Sequence, residues 1–302
     1  MPRGDPMATY VTSDVHGYLR ALDAALELVG LESDDVLYVM GDMVDRGPDP
    51  IGVVKLVRSL PNARVLMGNH ERMLLDVLAA DDDRELLLWQ MNGGSTTSRE
   101  LDALSGEEAG ELIEWLSGLP LFDVVEVADE RVRRSHPGDP ELAAATRAHL
   151  LVHAGIDAAA ARANLRAAGV PVDAAGGARD ASVAQLASML SQQVSDDLLW
   201  IRGDFWSEAT GLIGRDGRGP VVVSGHTPSL YLGRYGRLMS GTGVTEDLQG
   251  CVVEVGACRD TGGEADRICI DCAAATGSPT GRVGIMRLED RATWYVPVGE
   301  GA

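Results

Sequence analysis

Among its 302 residues the chain has one lysine, Lys55. It lies in Val53-Val54-Lys55-Leu56, without the glycines of a phosphate loop, which excludes Walker-type nucleotide binding. No apolar run reaches the roughly eighteen residues of a membrane span. No Gly-X-Ser-X-Gly elbow occurs, which disfavours a serine hydrolase. Met1 to Tyr10 lacks a charged stretch followed by an apolar one, so no secretory leader is expected and a cytoplasmic location is the default. Four cysteines are too few for a disulfide framework in a chain of this length. Cations as a whole are scarce, 26 against 46 acidic side chains, for a formal charge of −20. Such a surface repels polyanions, so neither duplex nucleic acid nor an anionic membrane is an expected partner.

The material for a core is ample, with 45% hydrophobic residues. There is no internal repeat and no long linker. The expectation is one domain over residues 8–298, with helical insertions at about 82–118 and 157–195.

Strand and helix alternate over the first eighty residues. Ala8 to Ser13, Val36 to Met40 and Arg64 to Met67 read as strands, and Leu19 to Leu31, Ile51 to Leu60 and Glu71 to Ala80 as helices. Repeated strand–helix units imply parallel strands, whose carboxyl ends collect ligands. Further on, Asp81-Asp82-Asp83 is expected to cap a helix through Trp89, followed by a loop at Asn92-Gly93-Gly94-Ser95 and a helix over Gly106 to Leu116. The β-prone segments after Leu121 are Leu121 to Val127, Leu150 to Val152, Val221 to Val223, Ile268 to Ile270, Val283 to Leu288 and Thr293 to Val296. Alanine-rich Asp157 to Leu190 reads as two helices around a glycine-rich loop.

Five apolar runs end in residues able to bind a metal: Asp14-Val15-His16-Gly17, Gly41-Asp42-Met43-Val44-Asp45-Arg46-Gly47, Gly68-Asn69-His70-Glu71, His153-Ala154-Gly155 and Gly225-His226-Thr227. Any one alone is ordinary turn chemistry. Together they deliver Asp14, His16, Asp42, Asn69, His153 and His226 to one side of a sheet. Carboxylate, amide oxygen and imidazole suit Mn, Fe, Zn or Co. Asp14 and Asp42 stand 28 residues apart and Asp42 and Asn69 stand 27 apart, each about one strand–helix–strand unit.

This ordered set resembles the calcineurin-like metallophosphoesterases, and within them the phosphoprotein phosphatase branch. That branch includes bacterial and phage Ser/Thr phosphatases and symmetrical diadenosine tetraphosphatases. The matching motifs run from Val11 to Thr227. Strand–helix alternation alone suggests a doubly wound sheet; the resemblance implies instead a four-layer α/β/β/α sandwich with helical insertions. It also implies two divalent metal ions, manganese first, with Fe, Zn, Co or Ni also compatible. Asp42 would bridge them, Asp14 and His16 would complete one site, and Asn69, His153 and His226 the other. Gly225-His226-Thr227-Pro228 lacks the second histidine of the Gly-His-X-His found in many metallophosphoesterases, which is the pattern of this branch.

The resemblance further implies that a hydroxide held between the metals attacks phosphorus while His70 protonates the leaving oxygen. Asp45 would orient His70 and raise its pKa. Arg46 and Arg202 would bind phosphoryl oxygens, joined by Asn69, through a fork that lysine cannot reproduce. Asn92-Gly93-Gly94 would line the cleft, and Glu71 would be a helix N-terminal charge. The implied reaction is phosphomonoester hydrolysis, with phosphoserine or phosphothreonine in a protein or peptide as substrate. The alternative is a small phosphorylated substrate, a dinucleoside polyphosphate or nucleotide; Asp45 and Glu71 favour the phosphatases, since these positions tend to differ in the tetraphosphatases. A non-catalytic scaffold is opposed by the complete set of site residues.

Other features read as structural. Cys251, Cys258, Cys269 and Cys272 are best taken as buried small residues, with a structural metal or reversible disulfide as alternatives. His136 is expected in a polar loop, and His149 before a strand and facing solvent. Gly211, Gly214, Gly217 and Gly219 read as a mobile loop.

Overall fold

A computed structural model describes residues 7–80, 83–235 and 248–299. The first sheet is built largely by the N-terminal part of the chain. Strands β1 (Thr9–Thr12), β2 (Val36–Val39) and β3 (Ala63–Val65) alternate with helices α1 (Leu19–Val29), α2 (Pro50–Ser59) and α3 (Asn69–Ala79). Local chemistry sets their ends. Gly30 closes α1 in the left-handed conformation, its N–H donating to the Leu26 carbonyl. Asp49 caps α2 through the Gly52 N–H, with Pro50 opening the helix.

Helices α4 (Asp83–Met91), α5 (Ser95–Asp102) and α6 (Gly106–Ser117) follow, the last opened by a Ser105–Glu108 capping box. Then come β4 (Phe122–Ala128), α7 (Glu130–Ser135), β5 (Thr146–Val152), α8 (Ala158–Ala167), α9 (Val183–Leu190), α10 (Ser195–Trp200) and α11 (Gly203–Ser207). Strands β6 (Val221–Ser224), β7 (Val253–Val255), β8 (Arg267–Cys269), β9 (Arg282–Arg287) and β10 (Thr293–Pro297) complete the described strands.

Two five-stranded sheets result, in the orders β10-β9-β1-β2-β3 and β4-β5-β6-β8-β7. β1, β2 and β3 are mutually parallel, as are β5, β6 and β8, while β9, β10, β4 and β7 run antiparallel to their neighbours. Period-two alternation distributes the strands' side chains between layers. Val11, Tyr38, Met40, Leu151, Val221, Val223 and Ile268 pack in one cluster between the sheets. Tyr10, Leu37 and Val39 face outward, with Leu22, Val54 and Leu112 of the helices, in a second cluster. Leu150, Val152 and Val222 do the same with Leu165, Leu186 and Phe205 in a third. The architecture is therefore helix, sheet, sheet, helix, the layering that the resemblance implied. Among the described residues no helix is long and apolar enough to cross a membrane.

Several expectations need correction. β5 starts at Thr146, so His149 lies within it, paired across to Val125 and Val221, and is buried instead of facing solvent. The polar Arg147 and His149 hid the start of that strand. His136 is the exposed C-cap of α7. Cys251, Cys269 and Cys272 are buried, as expected, but Cys258 is exposed. The glycine-rich stretch is anchored, because Ala178 N–H donates to the Leu212 carbonyl and Thr210 binds the Asp266 carboxylate through N–H and hydroxyl. Asp81 and Asp82, expected to cap α4, lie outside the described residues.

Candidate metal centre and active site

Nine described non-glycine residues have positive φ, and six of them are Asp14, His16, Asp42, Asp45, Arg46 and His226. Each costs on the order of 1–2 kcal/mol, so the surroundings must hold them. The loop after β1 does so by pairing with the loop after β2: Asp14 N–H donates to Gly41 O at 3.1 Å, His16 N–H to Asp42 O at 2.9 Å and Gly17 N–H to Met43 O at 2.9 Å. Glu71, fully buried in the first turn of α3, accepts from the N–H groups of Asp42, Met43, Val44 and Gly68 at 2.8–3.2 Å. The residue read as a helix-terminal charge is thus also the organiser of the second motif. Gly68 must be glycine here, because a Cβ would meet Asp42 Oδ1 at 2.2 Å.

All ten residues singled out from sequence come together. Asp14, His16, Asp42, Arg46, Asn69, His70, Arg202 and His226 line a cavity of about 130 Å³, joined by Pro228, Tyr231 and Asp271. His153 stands behind Asn69 and Asp45 behind His70, at 2.9 and 2.7 Å. Asp42 is the hub. Its Oδ2 faces His16 Nε2 at 3.5 Å, and its Oδ1 faces His153 Nε2 at 3.4 Å. Two tight clusters form around it, one of His16, Asp42 and His70 and one of Asp42, His153 and His226. Asp14 stands outside both. Its Oδ2 accepts from the Ser13 hydroxyl and from the His226 N–H at 2.9 Å, which links the two sheets.

The donor chemistry fits divalent cations. His16 Nδ1 donates to Val44 O and His153 Nδ1 to Met40 O, which fixes both rings with a lone pair on Nε2. Those lone pairs face the Asp42 oxygens and, from His153, Asn69 Oδ1 at 2.9 Å. His226 Nδ1 approaches the same Asn69 oxygen at 2.8 Å. Lone pair against lone pair in a buried cavity is an arrangement that a cation reconciles. The titration directions agree. Burial, then the charges of Asp14 and Glu71, push the Asp42 carboxyl well above the ordinary range. Burial also pulls His16 and His226 well down, with neighbouring imidazoles and arginines adding to it.

His70 departs from expectation. Its Nδ1–H donates to Asp45 Oδ2 at 2.7 Å, while its Nε2 accepts from Arg46 Nη2 at 2.9 Å. Its pKa is lowered, not raised: burial and the charges of Arg46, His153 and Arg202 outweigh the carboxylate. Burial in turn pushes Asp45 up to about 6, against donors from Thr97 and Trp89. Asn92 and Gly93 support the cleft by accepting from Arg46 Nε and N–H through their carbonyls.

Sequence reasoning missed Asp271, Tyr231, Trp89 and Thr97. Asp271 is buried, and its carboxyl is pushed well up by burial and by Asp14. It follows the apolar run Ile268–Ile270, the same strand-end signal that marks the other site residues, but stands between Cys269 and Cys272, whose thiols suggest a separate role. Trp89 and Thr97 carry no local signal, since they reach Asp45 from 44 and 52 residues away.

A family model described as calcineurin-like phosphoesterase matches residues 7–250. A symmetrical bis(5'-nucleosyl)-tetraphosphatase of Pectobacterium carotovorum is 37% identical over 134 residues, 44% of this chain and 43% of that protein. The chain thus spans less than half the length of the curated relatives it matches. A metallophosphoesterase from Sphaerobacter thermophilus aligns with a TM-score of 0.44 at 17% identity, over 98% of this chain and 89% of that one. A protein serine/threonine phosphatase from Saccharomyces cerevisiae aligns with a TM-score of 0.48 at 13% identity, over 98% and 82%.

Proposed function

This chain belongs to the calcineurin-like phosphoesterase family of metal-dependent phosphoester hydrolases, and from that premise we propose that it hydrolyses phosphomonoesters, specifically phosphoserine or phosphothreonine in a protein or peptide. The observation that carries the reading is the buried Asp45–His70 pair at the cavity edge. A seryl or threonyl alkoxide is a poor leaving group and needs a proton as it departs. A nucleoside diphosphate leaves readily without one, so a dedicated acid contributes most to alkyl monoesters.

Asp14, His16, Asp42, Asn69, His153 and His226 would hold two divalent ions, with manganese the first choice for this mixed oxygen and nitrogen set. Bound there, the ions supply Lewis acidity to the phosphoryl group and lower the pKa of the attacking water. Arg46 and Arg202 bind phosphoryl oxygens from the open side, and the Asn69 side-chain NH₂ adds a further donor. A phosphate that engages Arg46 withdraws it from His70 Nε2 and places negative charge beside the ring. Both changes reverse the electrostatics that keep His70 neutral. His70 Nε2 then takes up a proton from solvent; water adds to phosphorus and gives up a proton to solvent, the ester P–O bond breaks, and the Nε2 proton passes to the leaving oxygen. Asp45 holds the ring by Nδ1 throughout.

A second reading, hydrolysis of a dinucleoside polyphosphate, has its own support. The curated relatives carry that name, and Trp200 and Tyr231 expose 40% and 38% of their surface beside the cavity, with Arg234 stacked 4.5 Å over Tyr231. Aromatic faces of this kind can stack a base. A panel of phosphothreonine peptide, diadenosine tetraphosphate and 5′-phosphorylated RNA, assayed with Mn²⁺ at equal concentration, separates the two. The expected order places the peptide first by kcat/KM; a clear lead for diadenosine tetraphosphate replaces the first reading with the second.

A further inference from the structure

Asp45 and Arg46 are consecutive non-glycine residues in the left-handed region, at φ 68° and 69°. Such a pair does not persist unaided. Its support comes from one segment, the end of α4, the following loop and the start of α5. Trp89 Nε1–H donates to Asp45 Oδ2 at 2.9 Å, the oxygen that His70 also uses. The Thr97 hydroxyl donates to Asp45 Oδ1 at 2.6 Å and accepts the Asp45 N–H at 2.8 Å. Arg46 donates its N–H to Gly93 O at 3.0 Å and its Nε–H to Asn92 O at 3.2 Å. Trp89 and Thr97 are 3% and 0% exposed. The two glycines between them allow the close fit: a Cβ on Gly94 would meet the Trp89 ring at 2.4 Å, and one on Gly93 the Arg46 Cγ at 2.6 Å.

We propose that residues 89–97 form a clamp whose Trp89 indole and Thr97 hydroxyl are positioning residues for the Asp45–His70 pair. The inference rests on the reading of His70 as the proton donor. Three side-chain donors on one buried carboxylate fix its plane, and with it the direction of the His70 ring. An Asp45 that lost these donors would be free to rotate, and would no longer hold the His70 ring with its Nε2 toward the leaving oxygen.

The test compares leaving groups, because a loss of proton donation penalises a poor leaving group and largely spares a good one. Trp89→Phe and Thr97→Val keep side-chain bulk and remove the donor; Thr97→Ser restores the hydroxyl. With Mn²⁺-loaded enzyme, both donor-less variants are expected to lower kcat for a phosphothreonine peptide by about 10–100-fold, and for 4-nitrophenyl phosphate by less than about threefold. Thr97→Ser should recover most of the peptide activity. Equal losses on both substrates overturn the clamp. His70→Asn is the reference: if it shows no leaving-group selectivity, the proton-donor reading itself fails, whereas a selective His70→Asn beside unselective Trp89 and Thr97 variants sinks only the clamp. A readout independent of turnover is the Trp89 indole N–H resonance, assigned by its loss in Trp89→Phe. It should move upfield in Asp45→Asn, and an unmoved resonance contradicts the hydrogen bond to Asp45.

Discussion

The two sheets contribute to the site in different ways. The first delivers Asp14, His16, Asp42, Asp45, Arg46, Asn69 and His70 on three consecutive strand ends, interlocked by backbone pairing and by the single carboxylate of Glu71. The second contributes isolated side chains: His153 after β5, His226 after β6, Asp271 after β8, and Arg202 between α10 and α11. The hub belongs to the first sheet, since both clusters able to hold a metal share Asp42. Loss of a hub and loss of a spoke should therefore differ in kind. Asp42→Asn is expected to remove both metal equivalents and to lower kcat/KM by about 10⁴-fold or more. His226→Asn, on the second sheet, should cost one equivalent at most. Metal stoichiometry after gel filtration decides this, and equal metal loss in the two variants would erase the distinction between the sheets.

The second sheet holds its contribution by a different device, a buried ion pair. Arg267 and Asp266 are both fully buried and meet at 2.9 Å. Arg267 also donates to the carbonyls of Phe205, Trp206 and Glu208, next to Arg202, while Asp266 grips Thr210. The pair thus ties the segment carrying Arg202 to β8, where the first sheet relies on backbone pairing. Arg267→Met strands the Asp266 charge and several carbonyls in the interior, at a cost of about 3–5 kcal/mol. Urea unfolding should show this as a lower midpoint with a similar slope. An unchanged midpoint would mean that the loops around Arg202 do not depend on the pair.

The same contrast explains what was legible in the sequence. In the first sheet each strand is a short apolar run that breaks into glycine and a ligand, and each helix carries its own cap, so residues 8 to 79 read almost as they fold. In the second, α10 and α11 are single turns or little more, and β5 carries Arg147 and His149 inside a strand that alternation would call polar. His153 and His226 remained visible because glycine stands close to each, in His153-Ala154-Gly155 and Gly225-His226. Residues acting at long range were invisible. Nothing near Trp89 or Thr97 announces Asp45 as their partner, and nothing near Arg267 announces three carbonyls from the α11 region. The raised pKa expected for His70 failed for a related reason, because Arg46 sits on its Nε2 and burial outweighs the Asp45 charge.

Histidine gives the finest comparison between a ligand site and plain packing. His16, His70 and His226 in the site and His149 in β5 are all buried and all lowered in pKa by burial first. His16 and His226 stand in clusters able to hold a metal, whereas His149 stands among Arg147, Arg291 and Asp129, with its Nδ1 unpartnered. Its pKa is brought down to about 3 from 6.5. Between those values the unfolded chain binds a proton at this residue that the folded protein does not. The stability it confers is complete above pH 6.5 and is lost as pH falls toward 3. At pH 5 the loss is about 2 kcal/mol, from roughly 1.4 kcal/mol per pH unit below the unfolded value. Urea unfolding of the wild type and His149→Leu in EDTA, at pH 8 and pH 5, isolates this contribution, because the other buried histidines cancel between the two proteins. The variant should lose about 2 kcal/mol less than the wild type on acidification. Identical losses would show that β5 tolerates a charged His149.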